Sequence, residues 1–359
     1  MTFPLRAVCN GALALIFATA ARADCTLDKV SQMPLLSLGD HYVVMAGIED
    51  IIRPIIVDTG AAVTTLTAST VDELSIKEDD DVDHAHPIVG IGQTTGETLL
   101  NVIPSKLSFG DVVFHDRSTA VATMSFGKMA EANVIGLLGD DILSQYDVEF
   151  DFPAHRLTFY REVGCYDTFL PWSGPFATVP FDHRNSKVTF DIMLNQERTQ
   201  AIVDTGNPRS FIARTAPALW GSDTSDLSPT KATMQSPFNH GAAQYLSAYP
   251  FAKVVIGGDV YLDKRMSVAD VGVPPAPANL GLDYWLNRKL WISYPRGWMF
   301  VADDPSSAKL AHPVNAARAP PAAVAKIYQA VRKFAEDLGF RIPSSPALEE
   351  KRASLYGPD

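Results

Sequence analysis

The chain has 359 residues, 47% of them hydrophobic and 20% charged, which gives it the length and apolar content for two globular domains with sizeable cores. Its formal net charge of -11 leaves no basic footprint, which argues against nucleic acid or any other polyanion as a partner.

Residues 1–23 read as an export signal rather than as structure. Arg6 marks a short n-region, Ala7 to Ala21 is apolar, and Ala21-Arg22-Ala23 is a small-x-small cleavage site. An apolar run of about 15 residues falls short of the roughly 20 that a helix needs to cross a bilayer, so the segment is expected to be removed rather than to anchor the chain. The mature chain then begins at Asp24, in the periplasm or outside the cell, more acidic for the loss of Arg6 and Arg22 and without Cys9. Cys25 and Cys165 remain as an even pair in an oxidising compartment, and a disulfide between them is the expected outcome.

Beyond the leader the runs are short and rich in Val, Ile, Thr and Phe, with Gly, Pro, Asp and Asn between them at roughly ten-residue intervals. The fold class is therefore all-β. We place a first lobe at 24–162, a linker at 163–175 around "DTFLPWSGP", a second lobe at 176–302 and a Pro- and Ala-rich tail at 303–359. Helical periodicity is nearly absent until the tail, where Val324, Ile327, Val331, Phe334 and Leu338 share one face of an amphipathic helix.

An internal repeat runs through both lobes. "IIVDTGAAVTTL" around Asp58 returns as "AIVDTGNPRSFI" around Asp204. Gly110 in "KLSFGDVVF" follows Asp58 at nearly the interval by which Gly257 in "KVVIGGDVY" follows Asp204, and Gly139 and Gly281 form a further pair of this kind. Pro153 and Pro295 then follow those last glycines at equal distance. Four landmarks in one order argue for duplication.

The doubled Asp-Thr-Gly carries the chemistry. Glycine beside the acid lets main chain approach where a Cβ would intrude, and the threonine hydroxyl can bond inward while its methyl packs. Two carboxyls brought face to face by a pseudo-twofold axis cannot both ionise, so they share one proton and offer an acid and a base around one water. Such a pair can activate water against a peptide carbonyl and protonate the leaving nitrogen.

These residues carry a family resemblance. "IIVDTGAAVTTL" resembles the active-site loop of retropepsin-like aspartic peptidases, "NVIGLLGDDIL" their second loop, and "DVEFDFPAHRLTF" the terminal hairpin that follows it. The match covers the first lobe and, more faintly, the second. It implies two retropepsin-like β-barrel lobes in one chain, related by a pseudo-twofold axis as in pepsin, and an aspartic endopeptidase working as a monomeric internal pseudo-dimer on a peptide or protein substrate. By resemblance Asp58 and Asp204 are the catalytic dyad, Thr59 and Thr205 the hydroxyls beneath it, and Gly60 and Gly206 the backbone donors beside it. No cofactor and no metal is implied.

The second lobe departs from the pattern at Asn207-Pro208-Arg209 and at the aromatic pair of "LGLDYW". We expect the Asn207 amide to donate to Asp204 and favour its charged form; the competing reading is that Asn207 shapes the turn before Pro208. "VGIGQTTGE" is the candidate flap, with Gly90, Ile91, Gly92, Gln93 and Thr94 over the substrate. Its counterpart should fall within "MQSPFNHGAAQYL".

The rival readings are an exported, non-catalytic peptide- or protein-binding module on the same fold, and a metal site in "EDDDVDHAH", where Glu78, Asp79, Asp80, Asp81, Asp83, His84 and His86 crowd together. Such a charge run is more often a solvated loop. His183 and His240 are expected to be structural or surface groups.

Overall fold

The Val- and Ile-rich runs form strands throughout the computed structural model, which describes residues 25–91, 96–165, 169–219, 224–234, 238, 244–271 and 276–303. The expected leader and the tail helix lie outside the described residues. The architecture is all-β and has two lobes, each built on its own curled sheet. In lobe 1 the core of that sheet runs His41–Ile48, Ile51–Val57, Gly136–Leu138, Thr65–Thr67 and Ala120–Ala122. In lobe 2 it runs Lys187–Leu194, Glu197–Val203, Ala278–Leu280, Phe211–Ala213 and Asp259–Ala269. The pairings repeat in the same sense in both: antiparallel, parallel, antiparallel, parallel.

The repeat landmarks now have physical reasons. Gly110 and Gly257 sit at hairpin turns with φ of 59° and 57°, a left-handed conformation that costs glycine least. Pro153 and Pro295 lie in the turns between Asp147–Asp151 and Arg156–Val163 and between Arg288–Ser293 and Trp298–Asp303. There a residue without an N–H takes nothing from the ladder.

Those two hairpins join the lobes. They meet in a six-stranded sheet of order Thr26–Pro34, Arg156–Val163, Asp147–Asp151, Arg288–Ser293, Trp298–Asp303, Ala177–Pro180, with two strands on each side of the central antiparallel pair. Glu149 faces Trp291 at its middle, the point through which the pseudo-twofold axis passes. The main hydrophobic cluster spans both lobes, from Val44, Ile55 and Phe109 through Phe150 and Phe159 to Ile192, Val203, Trp285 and Leu290.

Cys25 and Cys165 form a disulfide across 140 residues of chain, beside the Thr26–Val163 pair at the edge of the six-stranded sheet. Sequence periodicity missed the helix Ala68–Leu74. It is short and terminated locally, by Thr67 accepting from Thr70 N–H at the start and by Ser75 in the left-handed conformation at the end.

Candidate active site

The apolar run before each Asp-Thr-Gly is a central strand, bonded on both sides and buried from Ile55 to Val57 and from Ala201 to Val203. A strand buried on both faces has no polar alternation, which is why these runs read as continuous. Each strand ends where the chain turns at the acid. Asp58 N–H donates to the Leu138 carbonyl and Asp204 N–H to the Leu280 carbonyl, both at 3.0 Å.

The two loops are knitted together beneath the acids. Thr59 Oγ1 donates to the Val203 carbonyl (2.7 Å) and accepts from Thr205 N–H (3.0 Å). Thr205 Oγ1 donates to the Val57 carbonyl (2.8 Å) and accepts from Thr59 N–H (3.1 Å). Both threonines are buried, so each of these four bonds satisfies a group that has no water to turn to. Only a hydroxyl can donate and accept in this way while its methyl fills apolar space.

Above them the glycines decide how closely the acids approach. Gly60 N–H donates to Asp58 Oδ1 at 2.8 Å and Gly206 N–H to Asp204 Oδ1 at 3.1 Å. A Cβ on Gly60 would lie 2.5 Å from Asp204 Oδ1, and one on Gly206 would collide with the Asp58 carboxyl. Each glycine is thus the floor against which the opposite acid rests. The Asp58 and Asp204 carboxyls are thereby brought side by side, each against the other's glycine.

A second layer of symmetry holds the loops from behind. Asp141 accepts from Thr64 N–H (2.6 Å) and Oγ1 (2.7 Å), and Asp283 accepts from Ser210 N–H (2.7 Å) and Oγ (2.5 Å). The same hydroxyls accept from Gly139 N–H (3.1 Å) and Gly281 N–H (3.0 Å). Gly139 and Gly281 cannot carry a Cβ, since it would strike the backbone of Val63 or of Arg209.

Charge is distributed less evenly than hydrogen bonds. Burial, and then the charge of Asp204, push Asp58 up to about 7, against the opposing pull of Lys187 and Gly60 N–H. Two carboxyls this close disfavour ionising both together. Lys187, at the start of its lobe-2 strand, reaches over to donate to the Gly60 carbonyl. His41 holds the equivalent place in lobe 1; burial lowers its pKa against the opposing fields of Asp40 and Asp204. Both bases precede their Asp-Thr-Gly by the same interval, a signal in the repeat that sequence reasoning passed over.

Asn207 does not take the expected place. Its Oδ1 accepts from Arg209 N–H at 3.1 Å, a local turn that matches the competing reading. The amide that reaches the dyad belongs to Asn279, whose Nδ2 donates to Asp204 Oδ2 at 2.5 Å. Its only trace in the sequence is one polar residue in an otherwise apolar strand.

Of the candidate flap, Gly90 and Ile91 are described; Gly92, Gln93 and Thr94 lie outside the described residues. The segment is closed by paired backbone bonds between Ile88 and Glu97 (2.9 and 3.2 Å). Ile91 packs on a lobe-2 cluster that contains Ile202, Phe211 and Leu246. Phe238, from the stretch expected to oppose the flap, packs on a lobe-1 cluster that contains Val43, Ile56 and Leu137. Each lobe thus sends an apolar side chain across to the other.

The other singled-out groups sit apart. Asp79 and His84 bond to each other at 2.7 Å, and no metal-competent group of His, Cys, Asp and Glu exists among the described residues. His183 bonds Asp140 at 2.8 Å from the opposite lobe and is structural; His240 lies outside the described residues. Compared with known proteins, the chain matches no family model and no curated sequence.

Proposed function

We propose that the chain is an aspartic endopeptidase of retropepsin-like type, with both halves of the site supplied by one chain. The observation that carries this reading is the reciprocal loop pair: each glycine abuts the other acid, and Thr59 and Thr205 lock the two loops across the pseudo-twofold axis. In the proposed reaction the ionised member of the pair takes a proton from a bound water as it attacks the peptide carbonyl. The protonated member gives its proton to the developing oxyanion, and the leaving nitrogen is protonated in turn. In this reading Ile91 and Phe238, each packed on the opposite lobe, are the side chains that would border the substrate.

The disulfide, the leader-like residues 1–23 and the lack of a membrane-length apolar helix among the described residues support an exported protein. A non-catalytic binding module has less support. It has no use for two abutting acids, one buried and one partly so, an arrangement that is costly unless it is employed. The test is digestion of a diverse peptide mixture from pH 3 to pH 8, with and without a pepstatin-type inhibitor. Inhibitor-sensitive cleavage at internal bonds is the expected result, and absence of any such cleavage across the range overturns the reading.

A further inference from the structure

Superposing the two lobes through their parallel strand pairs sets Leu137, opposite Ile56, against Asn279, opposite Ile202. Leu137 fills an apolar cluster with Val43, Ile56, Phe126 and Val134. Asn279 is equally enclosed, at 1% exposure, yet it carries an amide there, and its Oδ1 has no hydrogen-bond partner. A leucine would avoid that unpartnered oxygen. What offsets it is the Nδ2 bond to Asp204 Oδ2 at 2.5 Å, and such a bond has its full strength only when the acceptor is a carboxylate.

The donors on the two acids are therefore unequal. Asp204 receives N–H groups on both oxygens, from Gly206 and from Asn279. Asp58 receives Gly60 N–H, with apolar Leu137 in the place of the amide. Lys187 faces Asp58 and works the other way, favouring its charge, while Asp40 and Asp204 are the acids facing His41. His41 is partly buried, and burial holds it below its ordinary pKa and so disfavours a cation beside Asp204.

We propose that Asn279 is a positioning residue that places the negative charge of the dyad on Asp204 and the shared proton on Asp58. Resting on the peptidase reading, this makes Asp204 the group that activates the water and Asp58 the group that protonates the substrate carbonyl. The proton lost by the water passes to Asp204 and that gained by the carbonyl comes from Asp58, so the pair ends the attack with its roles exchanged and its single proton conserved.

The test is NMR titration of protein labelled with 13C at the aspartate carboxyls, in the wild type, Asn279→Leu and the exchange variant Leu137→Asn/Asn279→Leu. At pH 5.5 the wild type is expected to show Asp58 protonated and Asp204 ionised. Asn279→Leu should raise the lower step of the pair by about one pH unit, a tenfold shift, and the exchange variant should move the proton to Asp204. The acidic limb of kcat/KM should follow the same shift. Finding the proton on Asp204 in the wild type overturns the proposal, because the amide would then present Oδ1 rather than Nδ2 to the acid. That wild-type spectrum decides the matter even where a variant fails to fold. Absent cleavage with the expected titration would sink the peptidase reading instead.

Discussion

The two lobes agree in everything their backbones require and differ in where they put charge. Threonine lock, floor glycines and the Asp141 and Asp283 brackets recur pair by pair. Against these, Leu137 stands opposite Asn279, His41 opposite Lys187, and buried Asp140 opposite Leu282, with His183 from lobe 2 supplying the partner that Asp140 needs. Geometry must be symmetric for two acids to meet on an axis. On the peptidase reading acid and base are different roles, and a symmetric field would leave the proton evenly shared.

Removing an acid from either lobe breaks this comparison most severely. Asp58→Asn and Asp204→Asn should each lower kcat/KM by on the order of a thousandfold or more, with thermal unfolding little changed. Mixing the two inactive variants should restore nothing. Recovery on mixing would mean that the halves pair between chains and not within one.

Next in size is the tie between the two ends of lobe 1. Cys25→Ser with Cys165→Ser should cost roughly 2–5 kcal/mol in denaturant unfolding, and reductant should bring the wild type to the same midpoint. An unchanged midpoint would show that the six-stranded sheet holds its edge without the covalent link.

The shared sheet offers an internal control on buried charge. Asp151 faces Lys289 and Asp147 faces Ser293, at opposite ends of one strand pair. Burial acts to raise Asp151, but Arg156 at 2.8 Å, Ala154 N–H and Lys289 at 3.1 Å hold it below its ordinary range. Asp147, which forms no ion pair among the described residues, is pushed by burial up to about 6. Because the unfolded carboxyl ionises first, Asp147 weakens the fold as pH rises from about 4 to about 6. Asp147→Asn should therefore be more stable than the wild type at pH 7, by up to about 3 kcal/mol, and no more stable at pH 3. Equal stability at pH 7 would contradict the assignment.

Smaller still is the lock itself. Thr59→Val removes one donor and one acceptor from a buried set of four bonds and should cost about 2–3 kcal/mol. Thr205→Val should match it within error if the loops are as alike as their bonds. A large inequality would place the load on one lobe.

Much of this was legible in the residues. Strand-forming runs, the doubled acid, the turn glycines and prolines and the disulfide each announce themselves through local chemistry or spacing. What escaped depends on strands distant in sequence. Asn207 drew attention because it adjoins the acid loop, yet its oxygen is taken by Arg209 N–H, two residues on. Asn279 is distant in sequence and becomes a neighbour of Asp204 only because Ala278–Leu280 runs parallel to Glu197–Val203. The crossing of Ile91 and Phe238 into opposite lobes likewise has no sequence signal, since it depends on closure of one lobe over the other.

The central claim is that one chain assembles one complete, proton-sharing dyad. Calorimetric titration with a pepstatin-type inhibitor at acidic pH tests it most directly, because such an inhibitor seats its hydroxyl between the two acids. The account predicts one inhibitor bound per chain, with binding lost in both Asp58→Asn and Asp204→Asn. One inhibitor per two chains, or binding that survives either substitution, would contradict it.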